Sequence, residues 1–374
     1  MNFLKNGSEY IQSMIAAACE QGTRQITVTG KYEIESPIRL PSDFTLLLEN
    51  CHLRMADGSF CNMIINEHCR TPEGQTAEGT DRNIRILGTG RVILDGGEYN
   101  GLSERNSLKE GRPHISHNNL ILFTNVDGFD IRGLHLCRQR WWAMNFIFCR
   151  NGSIRDIDFR ADSRWIDSEG ITHDTLGTRA HGAAEKANVD YEGIIIKNAD
   201  GIDLRSGCHD ILIENITGFT EDDTVALTGL HGMMEQMFEV PGLDPDIHNV
   251  IIRNVMSSAF CANIRLLNQS GIRLYNILID GMMDTSANSP YMERGGSGIR
   301  IGDNHLYGTR HATPDETFNI TVRNVYSRAG AVMRLAGAMR DCLFENIRSF
   351  DEGDGAVMLL ENNASVDITP FFRN

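Results

Sequence analysis

The sequence predicts an all-β fold of stacked parallel coils, a β-helix, closed at its N-terminal end by one short helix. Three observations carry this expectation. From Gln25 onward the apolar runs are short, rich in β-branched residues and bounded by Gly, Asn or Asp. One short motif then recurs through the rest of the chain. Helical periodicity is confined to the first stretch, ahead of Gly22.

The helix comes first. Ser8 to Cys19 places Tyr10, Ile11, Met14, Ile15 and Ala18 at helical spacing, with Ser8 as the expected N-cap and Gly22 as the stop. Residues 1–22 therefore read as a cap over an open core end, which a solenoid requires. The strand-like segments QITVTG, YEIESPI, FTLLLEN, HLRMAD, NIRILG and RVILDG follow. The motif then appears as GFDIRGL, GSIRDI, HDILIENI, HNVIIRNV, YNILIDGM, FNITVRNV and RDCLFENI. It consists of a polar residue, alternating apolar positions, then Asn, Asp or Gly, then an aliphatic residue.

The steps between those Asn/Asp/Gly positions are 23 from Gly133 to Asp156, and then 59, 39, 27, 43 and 22 through Asn215, Asn254, Gly281, Asn324 and Asn346. Two short steps among longer ones predict coils of about 22 residues with loops inserted into some turns. An Asn repeated on successive coils can bond to the next at the strand spacing of about 4.8 Å. A sandwich or propeller is the rival, but hairpin dipeptides do not fall regularly between the strands. The chain, 1–374, reads as a single domain. Two inserts, about 161–192 and 230–246, lack the repeat and are expected to rise as walls of a cleft on either side of the stretch between them.

Hydrophobic content of 41% and charged content of 23% fit an ordinary globular protein. A formal net charge of −15 argues against nucleic acid or an anionic membrane surface as the main partner. It leaves room for a locally basic cleft. No apolar run reaches the roughly 20 residues that span a bilayer. The first residues lack the pattern of a secretory signal, and the nine cysteines show no CxxC spacing. A cytoplasmic protein with reduced thiols is the expectation. No metal-ligand spacing stands out, the glycines of GTGRVILDGG precede no helix, and no cofactor is called for.

The chemistry concentrates in Asn198–Gly229, where NADGID and EDD stand about one coil apart. A coil of 22 residues would stack Asp200 on Asp222, with Asp223 beside it pointing another way. Like charges so close push one pKa up and leave a proton donor beside ionised carboxylates. That is the minimum equipment of glycoside hydrolysis. Each aspartate taken alone is better explained as a turn residue, whereas NADGID, one coil, then EDD is hard to produce by accident.

NADGID, one coil, then EDD and a strand resembles the N-T-D-G-x-D, coil, D-D block of glycoside hydrolase family 28, the polygalacturonases and their relatives. Ser36–Gly58, Gly90–Gly97 and the C-terminal coils extend the resemblance over nearly the whole chain. It implies a right-handed parallel β-helix and hydrolysis with inversion. It further implies Asp222 as general acid, with Asp200 and Asp223 holding and activating the water. GSGIRIG (Gly296–Gly302) is similar to the family's R-I-K strand, which implies Arg300 as a substrate-binding arginine; Arg265 and Asp203, the last residue of NADGID, are further substrate-binding candidates. Guanidinium suits a carboxylate or paired hydroxyls because its donors form a planar fork. An outward surface ion pair is the plainer use of such an arginine.

The departures point to an altered substrate. Gly302 stands where the family has Lys, and the G-H-G segment falls near Cys261–Asn263, where no histidine occurs but Arg265 follows. His231 and His305, or His173 and His181, could take a histidine's place in space, although a loop histidine is more often just solvated. Trp142, next to Trp141, is a candidate for sugar stacking or for packing between coils.

The expected activity is thus an inverting glycoside hydrolase acting on small oligosaccharides, galacturonide-containing ones among the candidates. The oligosaccharide is the expected partner, and the sequence is silent on oligomeric state. The rivals are a lyase, epimerase or intramolecular glycosyl transferase on the same scaffold, or a catalytically dead carbohydrate-binding solenoid.

Overall fold

The computed structural model describes residues 2–59, 61–97, 117–139, 142–161, 165–167, 172–173, 194–195, 200–230, 238–269, 271–288, 294–302, 310, 312–350, 355–361 and 371–373. It is a parallel β-helix. A 12-stranded and a 10-stranded sheet run the length of the chain, and every paired strand in them is parallel. Each coil contributes one short strand to the second sheet and one long strand to the first. The inward columns are aliphatic from coil to coil. Ile202, Val225, Ile264 and Ile299 stack in register, as do Leu204, Leu227, Leu266, Ile301 and Leu335. All are fully buried, and each stabilises the coil by roughly 1.5–3 kcal/mol as an upper bound.

The recurring polar positions are the corners. Gly133, Asp156, Asn215, Asn254, Gly281, Asn324 and Asn346 all hold the left-handed conformation, with φ between 51° and 84°. Their spacings are the coil registers themselves, because each faces the next across the sheet. A second column five residues earlier does the same, through Gly128, Asn151, Asp210, Asn249, Asn276, Asn319 and Asp341. Asn and Gly tolerate this conformation where other residues pay about 1–2 kcal/mol. The amides then join successive corners. Asn254 Nδ2 donates to Asn215 Oδ1 at 2.6 Å, and Asn346 Nδ2 to Asn324 Oδ1 at 2.9 Å. Outside the corner, the rings of His209, His248, Tyr275 and Phe318 stack at 4.6, 4.9 and 5.0 Å.

The cap helix spans Gly7–Glu20 and buries Ile11, Ile15 and Ala18 on the first coil. Gly22, at φ 73°, ends it as expected. Ser8 is not its N-cap. Asn6 holds that place, and the Ser8 hydroxyl instead accepts the N–H groups of Glu35 and Ser36 at 3.0 and 3.1 Å, tying the helix to the coil beneath. Tyr10 was expected on the buried face but is 51% exposed, stacking its ring on Tyr32. All nine cysteines are free thiols. Among the described residues no helix is long and apolar enough to cross a membrane.

Of the two inserts, only parts are described. Trp165–Asp167 pairs antiparallel with Thr172–His173 and Ile194–Ile195. In the second, Phe238 and Val240 pack on Trp142, Ile147 and Phe148, so this segment leans against the shorter sheet. A cavity of about 460 Å³ lies beneath it, lined by Ser206, Phe148, Pro241 and Asp246 among others.

Asn254→Ala is expected to lower stability by about 1–3 kcal/mol, since it adds left-handed strain and cuts a ladder bond. Asn254→Gly should cost less, because the backbone is relieved. Urea melts of the two variants check the order, and an equal loss would show that the conformation carries no strain.

Candidate active site

The shorter sheet carries the candidate residues on its outer face. In Ile202–Arg205 the apolar side chains point inward, so Asp203 and Arg205 point outward. In Ala262–Asn268 the same alternation turns Asn263 and Arg265 outward. Yet Asp203, Arg205, Asn263 and Arg265 are at most 4% exposed. A polar face so covered is costly unless its groups pair, as Asp203 does with Arg205, Arg265 with Asp223 and Asn263 with Ser257.

Asp200 and Asp223 are in register. Gly201 N–H donates to the Asp223 carbonyl at 2.9 Å, Ile202 N–H to Thr224 at 3.0 Å, and Ile202 faces Val225. The local coil is therefore 23 residues, not 22, and the expected stack of Asp200 on Asp222 is corrected to Asp200 on Asp223. Gly201 makes the close approach possible, because a Cβ there would lie 2.3 Å from the Thr224 carbonyl oxygen. The Thr220 hydroxyl shares a hydrogen bond with that of Thr224 at 3.0 Å, bracing the EDD turn. Asp222, half-buried at the mouth, meets Cys261 on the following coil, whose thiol donates to its carboxylate. Burial, and then the charges of Asp222 and Asp223, push that thiol well above its usual range.

Burial raises the Asp200 pKa well above the carboxylate range, reinforced by Asp203, Asp222 and Asp223, with Arg205 opposing. Asp223 is pushed up to about 7 by burial and by Asp222, while Arg265 and Arg300 draw it down. Arg265 Nη1 stands 3.9 Å from Asp223 Oδ2. Among the described residues, one buried oxygen of Asp200 and one of Asp223 have no hydrogen-bond partner. The cluster thus holds at least one proton at neutral pH and presents carboxyl oxygens with capacity to spare.

Asp203 Oδ1 stands 3.5 Å from Arg205, whose guanidinium lies 3.9 Å over the Trp142 ring. Trp142 is buried, with its ring shared between Arg205 and the wall packing. Arg300 faces Arg265 on one side and Arg334 on the other. One outward row, read along the helix axis, is thus Asn145, Asp203, Ala226, Arg265, Arg300 and Arg334. Arg205, Cys261 and Arg334 were not anticipated. For Arg334 the signal was an arginine framed by apolar residues in VMRLA, as Arg265 and Arg300 are in NIRLL and GIRIG. His231, His305, His181 and Trp141 lie outside the described residues, and for His173 only the backbone strand is described.

Among the described residues, two groups of possible metal ligands occur, His209 with Asp210 and His248, and Glu67 with His68 and Asp81. They arise from stacking rather than from spacing in the sequence. The first belongs to the ring stack of the corner. In the second, Asp81 already accepts from Ser42, Asn66 and His68.

No family model and no curated protein matches the chain. Solved structures do. A hyperthermoactive exopolygalacturonase from Thermotoga maritima aligns with a TM-score of 0.58 at 14% identity, over 96% of this chain and 87% of that one. The chain has the fold of the polygalacturonases. The polygalacturonase of Erwinia carotovora ssp. carotovora gives 0.57 at 14% identity, over 100% and 96%. The tailspike protein of E. coli bacteriophage HK620, in complex with pentasaccharide, gives 0.56 at 12% identity, over 98% of this chain and 63% of that one.

Because Asp200 and Asp223 are raised, the folded chain retains protons that the unfolded chain releases. Stability is therefore fully present below the unfolded carboxylate pKa of about 4 and falls as pH rises through about 7. Asp223→Asn removes the titrating group. It is expected to melt higher than wild type at pH 8, by on the order of 2 kcal/mol, with the gap closing toward pH 4. Thermal melts across that range check it, and a pH-independent gap would contradict a buried, raised carboxylate.

Proposed function

We propose that the chain is a glycoside hydrolase that cleaves oligosaccharides with inversion in the cleft over Asp200, Asp222 and Asp223. The observation that carries this reading is the in-register stack of Asp200 on Asp223 in a covered polar face, with arginines beside it. The reaction needs one carboxyl that gives a proton and one that takes it; in this reading the stack is the water side, and Asp222 beside it is the donor. The polygalacturonase fold adds a scaffold already associated with such chemistry, and the tailspike with its pentasaccharide adds an instance of saccharide binding on it.

In this reading Asp222, half-exposed at the mouth, gives its proton to the leaving oxygen. Asp223 takes the proton from water. It is the stacked carboxyl that ionises first, because Arg265 and Arg300 face it whereas Asp200 is crowded by three other carboxylates. Asp200 keeps its proton and orients the water. Cys261 holds the Asp222 carboxyl in place, and Arg265 and Arg300 bind the substrate.

The test is turnover of a panel of galacturonides and neutral oligosaccharides, with product anomers followed by proton NMR. Asp222→Asn is expected to lose roughly 10²–10⁴-fold on natural linkages. On nitrophenyl glycosides, whose leaving group needs no proton, the loss should be far smaller. Asp223→Asn should lose as much on both. The reverse pattern would make Asp223 the acid, an unsaturated product would make the chain a lyase, and silence across the panel would sink the hydrolase reading.

A further inference from the structure

The arginine row continues one coil past the residues assigned to substrate binding. Arg334 lies in Ala331–Leu335 between the inward Met333 and Leu335, so it points outward directly beside Arg300. Three guanidinium groups in adjacent places on one parallel sheet repel one another, and like charges so placed are destabilising. A purely structural position has little reason to keep the third. The row is nevertheless arranged with care. Arg265 has Asp223, and Arg334 Nη1 donates to Glu361 Oε1 at 2.8 Å. Glu361 is itself fixed, its N–H donating to the Leu335 carbonyl at 2.9 Å. Among the described residues the buried Nε of Arg334 has no hydrogen-bond partner, and 28% of the side chain is exposed. One edge of the guanidinium is therefore anchored while another donor is left without an acceptor.

Arg334 stands three coils beyond Asp223, on the order of 14 Å along the axis at the strand spacing. A saccharide lying along the cleft from the carboxylate cluster would reach it with a unit two or three places from the cleaved bond. We propose that Arg334, held by Glu361, is a specificity residue forming a distal subsite for an acidic group, carboxylate or sulfate, on that unit. The proposal rests on the cleft being the saccharide site of the proposed hydrolase. The guanidinium fork supplies paired donors to two oxygens of one anionic group, whose negative charge offsets the repulsion along the arginine row.

The test compares di- and tetragalacturonate, and the carboxyl-reduced form of the tetrasaccharide, on wild type and on Arg334→Gln. For hydrolysis, Arg334→Gln is expected to lose at least tenfold more kcat/KM on tetragalacturonate than on digalacturonate, through KM. For binding, calorimetry in an Asp222→Asn background should show the same tenfold weakening for tetragalacturonate and none for the reduced tetrasaccharide. Glu361→Gln, which frees the guanidinium, should reproduce part of the loss, and Arg334→Lys should restore part of it. A loss equal on the two chain lengths, or persisting on the reduced sugar, would make Arg334 a structural residue and overturn the proposal. Hydrolysis with no effect of Arg334→Gln would remove the subsite and leave the hydrolase. Selective binding loss without hydrolysis by wild type would remove the hydrolase and leave the subsite. Failure of all three saccharides to bind would overturn both.

Discussion

Parallel pairing of one coil on the next is the constraint on which the rest of this molecule depends. The backbone bonds place equivalent residues of successive coils about 4.8 Å apart, and each column must then tolerate its own repetition. Apolar columns gain by it, as the stacked Ile and Leu of the core show. Asn columns gain too, because an amide both donates and accepts and can satisfy the copies above and below. Charged columns lose. Where carboxyls or guanidinium groups recur in register, the scaffold accepts repulsion that a solenoid built only for stability would avoid.

The cluster at the centre shows how that repulsion is contained. Asp200 and Asp223 are stacked and covered, and burial drives both toward the neutral form. Arg265 and Arg300 oppose the shift at Asp223 without cancelling it. The imbalance leaves two chemically identical side chains with different proton affinities, set by which cations each one faces. The overall charge of −15 says nothing of this, because the positive groups that matter lie in one row of one sheet.

The parts of the fold legible in the sequence were those governed by local chemistry. Every Asn, Asp or Gly that the repeat singled out is a left-handed corner, since only such residues hold that backbone cheaply. Helix capping was legible at Gly22 but misread at Ser8, whose hydroxyl serves the neighbouring coil rather than its own helix. The carboxylate cluster was legible as a group, while its pairing was off by one residue. An average coil length cannot resolve a single added residue, and a one-residue slip changes which side chains meet. Arg334 was hidden for a related reason. The register steps from Ala226 to Arg265, Arg300 and Arg334 are 39, 35 and 34 residues, so inserted loops separate residues that stand side by side.

The outward row has a sequence of its own when read along the axis rather than along the chain. Asn145 and Asp203 come first, Ala226 is the small residue in the middle, and three arginines follow. The formal charge of its side chains thus passes from one acid to three bases across Ala226, on the coil that carries Asp222 and Asp223. Such a groove is polar in the sense that a rail with a slope is polar. A chain bearing negative groups along one part of its length has a low-energy orientation there and a high-energy one. For the acidic saccharide proposed above, the stacking order of the coils would by itself favour one direction of lying along the sheet.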